Sequence, residues 1–126
     1  MPDKILVVDD EPDTLSLLAF TLTRAGYTVL KATSGRICLE ITAAEKPDLI
    51  ILDMMMPDMD GLHVLQALRS SGSTHPPVVF FTAKGRAEDM TAGLEAGAFH
   101  YLVKPTSRDK LLETVRAALA DGKKPA

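Results

Sequence analysis

The feature that most constrains this chain's fold is a fivefold alternation of short apolar runs with segments of helical spacing. The runs are Ile5-Leu6-Val7-Val8, Val29-Leu30, Leu49-Ile50-Ile51-Leu52, Val78-Val79-Phe80-Phe81 and Tyr101-Leu102-Val103. The first, third and fourth are apolar without in-out alternation, the signature of a strand covered on both faces. Those three belong at the centre of a sheet, whereas Thr28-Val29-Leu30-Lys31-Ala32 mixes polar with apolar residues and suits an edge. Between the runs, Leu15, Leu18, Leu22 and Ala25 fall on one face of a helix that Pro12 can start and Gly26 can end. Similar patterns occupy 35–45, 59–71, 86–96 and 107–120. In the last, Ser107 can cap the N-terminus, and Leu111, Leu112, Val115 and Leu119 form the apolar stripe. The segment 86–96 is the least helix-prone, with Thr91 and Gly93 in its interior. Five strands alternating with five helices imply right-handed crossovers and an α/β fold, a parallel sheet with helices on both faces.

A chain of 126 residues leaves room for one domain, and one of this size buries about two-thirds of its unfolded surface. With 46% hydrophobic and 25% charged residues, it is not an extended disordered chain. The 14 basic and 17 acidic residues give a net charge of -3, which offers no general attraction to nucleic acid or to an anionic membrane. No apolar stretch approaches the roughly 20 residues of a membrane span. Met1-Pro2-Asp3-Lys4 reaches charge at once, unlike a signal peptide, so the cytoplasm is the expected compartment. The single cysteine, Cys38, lies in Ile37-Cys38-Leu39 and reads as a small packing residue in a reducing environment. The polar segment 121–126 is expected to be a flexible tail, or the start of a linker, after a domain of residues 1–120.

Acidic charge is concentrated. Asp9, Asp10, Glu11 and Asp13 form one stretch and Asp53, Asp58 and Asp60 another, each beginning where an expected strand ends. In open parallel sheets ligands bind beyond the carboxyl ends of the strands, where strand order reverses. If strands one and three are neighbours, Asp9, Asp10 and Asp53 converge there. Three close carboxylates repel one another, and a hard divalent cation such as Mg2+ resolves that repulsion with all-oxygen ligands. Thr82 and Lys104 end the fourth and fifth strands and add a hydroxyl and an ammonium, a combination that suits a phosphoryl group. A carboxylate can serve as the covalent nucleophile of an aspartyl-phosphate, so the minimal chemistry is phosphoryl transfer onto an Asp. The sequence has no P-loop and no GxSxG, and nothing in it points to ATP.

The run Asp53-Met54-Met55-Met56-Pro57-Asp58-Met59-Asp60-Gly61, with Val7-Val8-Asp9-Asp10-Glu11 before it and Thr82-Ala83 and Lys104-Pro105 after it, closely resembles the receiver domain of two-component response regulators. Gly97-Ala98 followed by Tyr101-Leu102-Val103-Lys104-Pro105 also looks like that family's fifth strand, and the likeness spans residues 4 to 120. It implies a flavodoxin-like (βα)5 doubly wound sheet of order 2-1-3-4-5. It also implies Asp53 as phosphoacceptor, with Asp10, Asp53 and the main-chain carbonyl of Met55 binding Mg2+ directly and Asp9 acting through a water. Lys104 would pair with Asp53 and then with the phosphoryl oxygens, its peptide bond to Pro105 being cis. Thr82 and Tyr101 would form a coupled switch, Tyr101 turning inward as Thr82 swings to the phosphoryl group. The implied donor is a sensor histidine kinase or a histidine phosphotransfer protein. The implied readable face is 86–96, 99–103 and 107–120, acting on an output partner or domain, as a monomer or a phosphorylation-dependent dimer.

Such a domain is a signalling switch and not a turnover enzyme, because its substrate is itself. Met55 and Lys84, two residues past Asp53 and Thr82, are positions expected to tune acyl-phosphate lifetime. An apolar Met55 would hinder the in-line water and Lys84 would screen charge, giving slow to moderate dephosphorylation. Thr106 departs from the apolar or aromatic residue often found after Lys-Pro in the family. Tyr101 has a competing reading as a half-buried edge aromatic. Met54, Met55, Met56 and Met59 read as apolar filler rather than sulfur ligands, and His63, His75 and His100 show no metal-ligand spacing. Arg108, Lys110 and Arg116 make the last helix basic. Two other classes fit the same outline. One is a phosphohydrolase using an aspartyl-phosphate, which would need an acid where Met55 stands, and the other is an FMN-binding module, which would need a phosphate-cradling loop after Asp9.

Overall fold

A computed structural model describes residues 3–71 and 75–122. Its elements run β1 (Lys4–Val8), α1 (Pro12–Arg24), β2 (Thr28–Ala32), α2 (Gly35–Glu45), β3 (Leu49–Leu52), α3 (Gly61–Ser70), β4 (Val78–Thr82), α4 (Ala87–Glu95), β5 (His100–Val103) and α5 (Arg108–Gly122). All strands are parallel in the order β2-β1-β3-β4-β5, the flavodoxin-like arrangement. The three continuously apolar runs fill the centre, and β2 and β5 form the edges.

Strand alternation divides the core into two layers. Ile5, Val7, Leu49, Ile51, Val79 and Leu102 face α1 and α5. Leu6, Val8, Ile50, Leu52, Val78, Phe80 and Tyr101 face the other side, with Cys38 of α2 and Val64, Leu65 and Leu68 of α3. Each fully buried Ile, Leu or Val contributes about 1.5–3 kcal/mol of transfer free energy, which makes the central strands a rigid base for the loops beyond them.

The helix ends follow local chemistry. Pro12 occupies the first turn of α1, where its missing N–H costs nothing. Ala25 caps that helix in an exposed position, so the buried stripe is Leu15, Leu18 and Leu22, one residue shorter than the sequence pattern indicates. Gly26 then adopts φ 100°, a left-handed stop. The Ser34 side chain accepts from the Ile37 N–H at 3.2 Å and caps α2. The Asp60 carboxylate accepts from the His63 N–H at 2.9 Å, so α3 begins at Gly61 and not at 59. Ser107 accepts from the Lys110 N–H at 3.0 Å, and the expected stripe of Leu111, Leu112, Val115 and Leu119 is buried. That helix continues through Asp121 and Gly122, two residues past the anticipated end at 120, while 123–126 lie outside the described residues.

Candidate functional site

Two backbone bonds assemble the site. The Asp53 N–H donates to Val8 O at 3.1 Å, and the Asp9 N–H donates to Ala32 O at 3.1 Å. Both continue the sheet ladder one residue beyond its apolar strands, so the two aspartates stand side by side at the carboxyl edge of β1 and β3. Asp9 is 1% exposed and Asp53 4%. Asp10 is exposed beside them, and one carboxylate oxygen from each of Asp9, Asp10 and Asp53 lies within 4.8 Å of the others. This convergence of three hard oxygen donors suits a divalent cation such as Mg2+.

The two buried carboxylates are satisfied in the same way. Asp9 Oδ1 accepts from the Glu11 N–H at 2.9 Å, and Asp53 Oδ1 accepts from the Met55 N–H at 3.1 Å. The Oδ2 atoms share one ammonium, with Lys104 Nζ 2.7 Å from Asp9 and 3.4 Å from Asp53. The closer partner of Lys104 is therefore Asp9 and not Asp53. Glu11 Oε1 is 3.9 Å from the same nitrogen. Burial pushes the Lys104 pKa down, but the Asp9 hydrogen bond and the Asp53 charge outweigh it and hold the amine above the ordinary lysine value. Lys104 reaches this position because its N–H donates to Thr82 O at 2.8 Å, extending the pairing of β4 with β5. Its peptide bond to Pro105 is cis.

Thr82 and Tyr101 meet through the main chain of Lys84. The Lys84 N–H donates to Thr82 Oγ1 at 3.3 Å, and the Tyr101 hydroxyl donates to Lys84 O at 2.7 Å. Thr82 is fully buried and Tyr101 is 4% exposed, so the half-buried edge reading of Tyr101 gives way to an inward ring. That ring lies 5.7 Å from Phe80. Burial, assisted by the Asp89 and Asp53 charges, pushes the phenol up to about 12. The Lys84 side chain is exposed, and Met55 is exposed beside the site while Met54 and Met56 are buried.

Three contributors escaped the sequence reading. A Cβ on Gly61 would lie 2.7 Å from Asp53 O and 2.7 Å from Phe80 Cε1, so only glycine admits this approach of α3 to the aspartate's backbone. Asp58 accepts from the N–H groups of Gly35 and Arg36, both at 3.1 Å, tying the loop after Asp53 to the N-terminus of α2. Those bonds, Arg36 first, hold its carboxyl below the ordinary value. Phe81 sits with its ring under the Lys104 ammonium. The first two could be suspected from Asp-x-Asp-Gly before a helix, whereas the third depends on side-chain placement that no sequence pattern carries.

Fold and site together define a flavodoxin-like α/β domain with an acidic, lysine-balanced pocket at the point where strand order reverses. The family model for the response regulator receiver domain matches residues 5–116, and the chain belongs to that family. It is 43% identical over 119 residues to the response regulator MprA of Mycolicibacterium vanbaalenii, covering 94% of this chain and 51% of that protein. It is also 43% identical over 119 residues to the alkaline phosphatase synthesis transcriptional regulatory protein PhoP of Bacillus subtilis, covering 94% and 49%. The chain thus spans about half the length of these relatives. Among solved structures, a CheY-like receiver domain from Methanospirillum hungatei superposes with TM-score 0.90 at 27% identity, covering 98% of each chain. The receiver domain of a LuxO-type repressor from Vibrio parahaemolyticus gives TM-score 0.92 at 28% identity, covering 98% of this chain and 94% of that one.

Proposed function

We propose that this receiver domain accepts a phosphoryl group on Asp53 from the phosphohistidine of a sensor kinase or a phosphotransfer protein, and changes conformation to control an output. The observation that carries the reading is a buried Asp53 whose two oxygens are held by the Met55 N–H and by Lys104, beside Asp9 and Asp10. In the transfer an Asp53 oxygen forms the new bond to phosphorus as the bond from phosphorus to the donor histidine nitrogen breaks, its electron pair leaving with the imidazole. Asp10, Asp53 and the Met55 carbonyl would hold Mg2+ directly, with Asp9 engaged through a water. The ion would supply charge neutralisation between these carboxylates and the phosphoryl oxygens. Lys104 adds a second cation already poised at both carboxylates, so the developing charge meets a preorganised partner.

Phosphorylation adds negative charge and acceptor oxygens beside Thr82. The Thr82 hydroxyl turning toward them would loosen the Lys84 N–H that it now accepts. The same Lys84 main chain receives Tyr101, so the switch is read out along α4, β5 and α5, the face spanning 86–120. Partner choice, output and a cytoplasmic setting belong to this reading. The full-length relatives, one named as a transcriptional regulator, support an output domain or partner beyond the switch. No helix among the described residues is long and apolar enough to cross a membrane. With Met55 and Lys84 at the two tuning positions, dephosphorylation is slow to moderate, and Met55→Asn speeds it.

Incubation with acetyl phosphate and Mg2+, followed by intact-mass measurement, tests the reading. One phosphoryl adduct that is absent from Asp53→Asn is the expected result. Turnover of a small phosphate ester, or a flavin carried through purification, would replace it with one of the other two classes.

A further inference from the structure

We propose that Phe81 is a positioning residue for Lys104, its ring keeping the ammonium between Asp9 and Asp53 where phosphoryl transfer uses it. This rests on the phosphoacceptor reading of Asp53. The Lys104 ammonium lies 5.5 Å from the centroid of the Phe81 ring, within the range of a cation–π contact. Phe81 pairs with Leu102 across β4 and β5 and packs against the core layer of α1 and α5. Phe80, one residue earlier, belongs to the opposite layer. The ring therefore forms a floor at the sheet's carboxyl edge, on the side from which it meets the Lys104 amine.

The need for such a floor follows from the lysine's freedom. Its four-carbon stem carries a compact charge with three donors and no preferred plane. Three acidic groups compete for it, at 2.7 Å (Asp9), 3.4 Å (Asp53) and 3.9 Å (Glu11). The Glu11 side chain is 68% exposed and draws the amine toward solvent, whereas the ring draws it inward. A cation–π contact of this kind biases a conformational equilibrium about two- to thirtyfold. Phe81 acts through Lys104, whose ammonium its ring faces.

Phe81→Leu, Phe81→Met and Phe81→Tyr are compared with the parent. In EDTA, NMR of protein labelled at lysine should show the Lys104 Cε protons shifted upfield by the ring in the parent and in Phe81→Tyr, and at the ordinary lysine position in Phe81→Leu and Phe81→Met. With acetyl phosphate and Mg2+, Phe81→Leu should be phosphorylated about three- to tenfold more slowly, and Phe81→Tyr within about twofold of the parent. In a urea-unfolding cycle with Lys104→Met, the Phe81→Leu effect should shrink once the amine is gone. An unshifted Lys104 in the parent, or a Phe81→Leu effect equal in both backgrounds, overturns the proposal and leaves Phe81 a packing residue. Unchanged phosphorylation of Phe81→Leu in a parent that is phosphorylated overturns it alone. A parent that takes no phosphoryl group overturns the phosphoacceptor reading and this inference together.

Discussion

Replacing Lys104 by methionine keeps the stem's apolar bulk and removes the charge that balances two buried carboxylates. At an effective dielectric of about 20, the attraction across 2.7 Å to Asp9 amounts to about 6 kcal/mol, and that across 3.4 Å to Asp53 to about 5 kcal/mol, before desolvation is set against them. Removing one partner of a buried pair costs about 3–5 kcal/mol net, because a charge is left uncompensated. The lower end applies here, since the Lys104 side chain is 17% exposed and each aspartate keeps a backbone N–H donor on its Oδ1. A loss of about 3 kcal/mol lowers the melting temperature of a domain this size by about 12 °C. The assay is thermal or urea unfolding in EDTA at several pH values.

The pH dependence carries the diagnostic sign. In the parent the Lys104 pKa is raised, so its contribution is complete below the ordinary lysine value and is lost only as pH climbs through the raised one, which leaves pH 5–8 flat. Lys104→Met removes that contribution, which is constant over this window. The deficit is therefore constant from pH 5 to pH 8 and narrows only as pH climbs through the raised lysine value. Saturating Mg2+ should shrink the deficit, and Mg2+ should bind the variant about tenfold more tightly, equivalent to about 1.4 kcal/mol. A variant within about 0.5 kcal/mol of the parent in EDTA, or a deficit that closes between pH 5 and pH 8, would refute the argument that this ammonium balances the pair.

Three further outcomes follow from single contacts. Gly61→Ala places a Cβ 2.7 Å from Asp53 O and should cost about 1–3 kcal/mol in urea unfolding, with slower phosphorylation because the backbone of the acceptor must shift; unchanged stability would show that the approach is not tight. Asp58 has a lowered folded pKa, so its support of the α2 N-terminus is present above the ordinary carboxylate value and is lost as pH falls through the lowered one. Asp58→Asn should therefore be less stable than the parent at pH 7 and converge with it by about pH 2, whereas a gap independent of pH would remove charge from the explanation. Cys38 is buried and its thiol pushed up to about 11, chiefly by desolvation. Its alkylation at pH 8 should be about a hundredfold or more slower than that of an open thiol until urea unfolds the chain, and rapid labelling of the native protein would contradict the burial.

How much of this was legible in the sequence depends on which forces place each residue. Apolar runs of four residues must be covered on both faces, so β1, β3 and β4 could be set at the centre of the sheet from composition alone. With the strands set, the carboxylates that follow two adjacent ones had to converge, and Asp9 and Asp53 do so because the backbone ladder continues one residue past Val8 and Leu52. Element ends were less legible. Asp60 belongs to the second acidic stretch and is also a helix cap, and its local bond to the His63 N–H makes α3 begin at Gly61. Charge pairing was the least legible. The motif places Lys104 near Asp53, yet the amine sits closer to Asp9, at 2.7 Å against 3.4 Å, a difference set by side-chain placement that no sequence pattern carries. Since Asp9, Asp10 and Asp53 together also form the hard-oxygen cluster, Lys104 and a divalent cation address the same negative charge. In the proposed transfer the domain would hold its acidic pocket with its own amine, and the Asp9–Lys104 bond would be the contact that a cation renegotiates before Asp53 reacts.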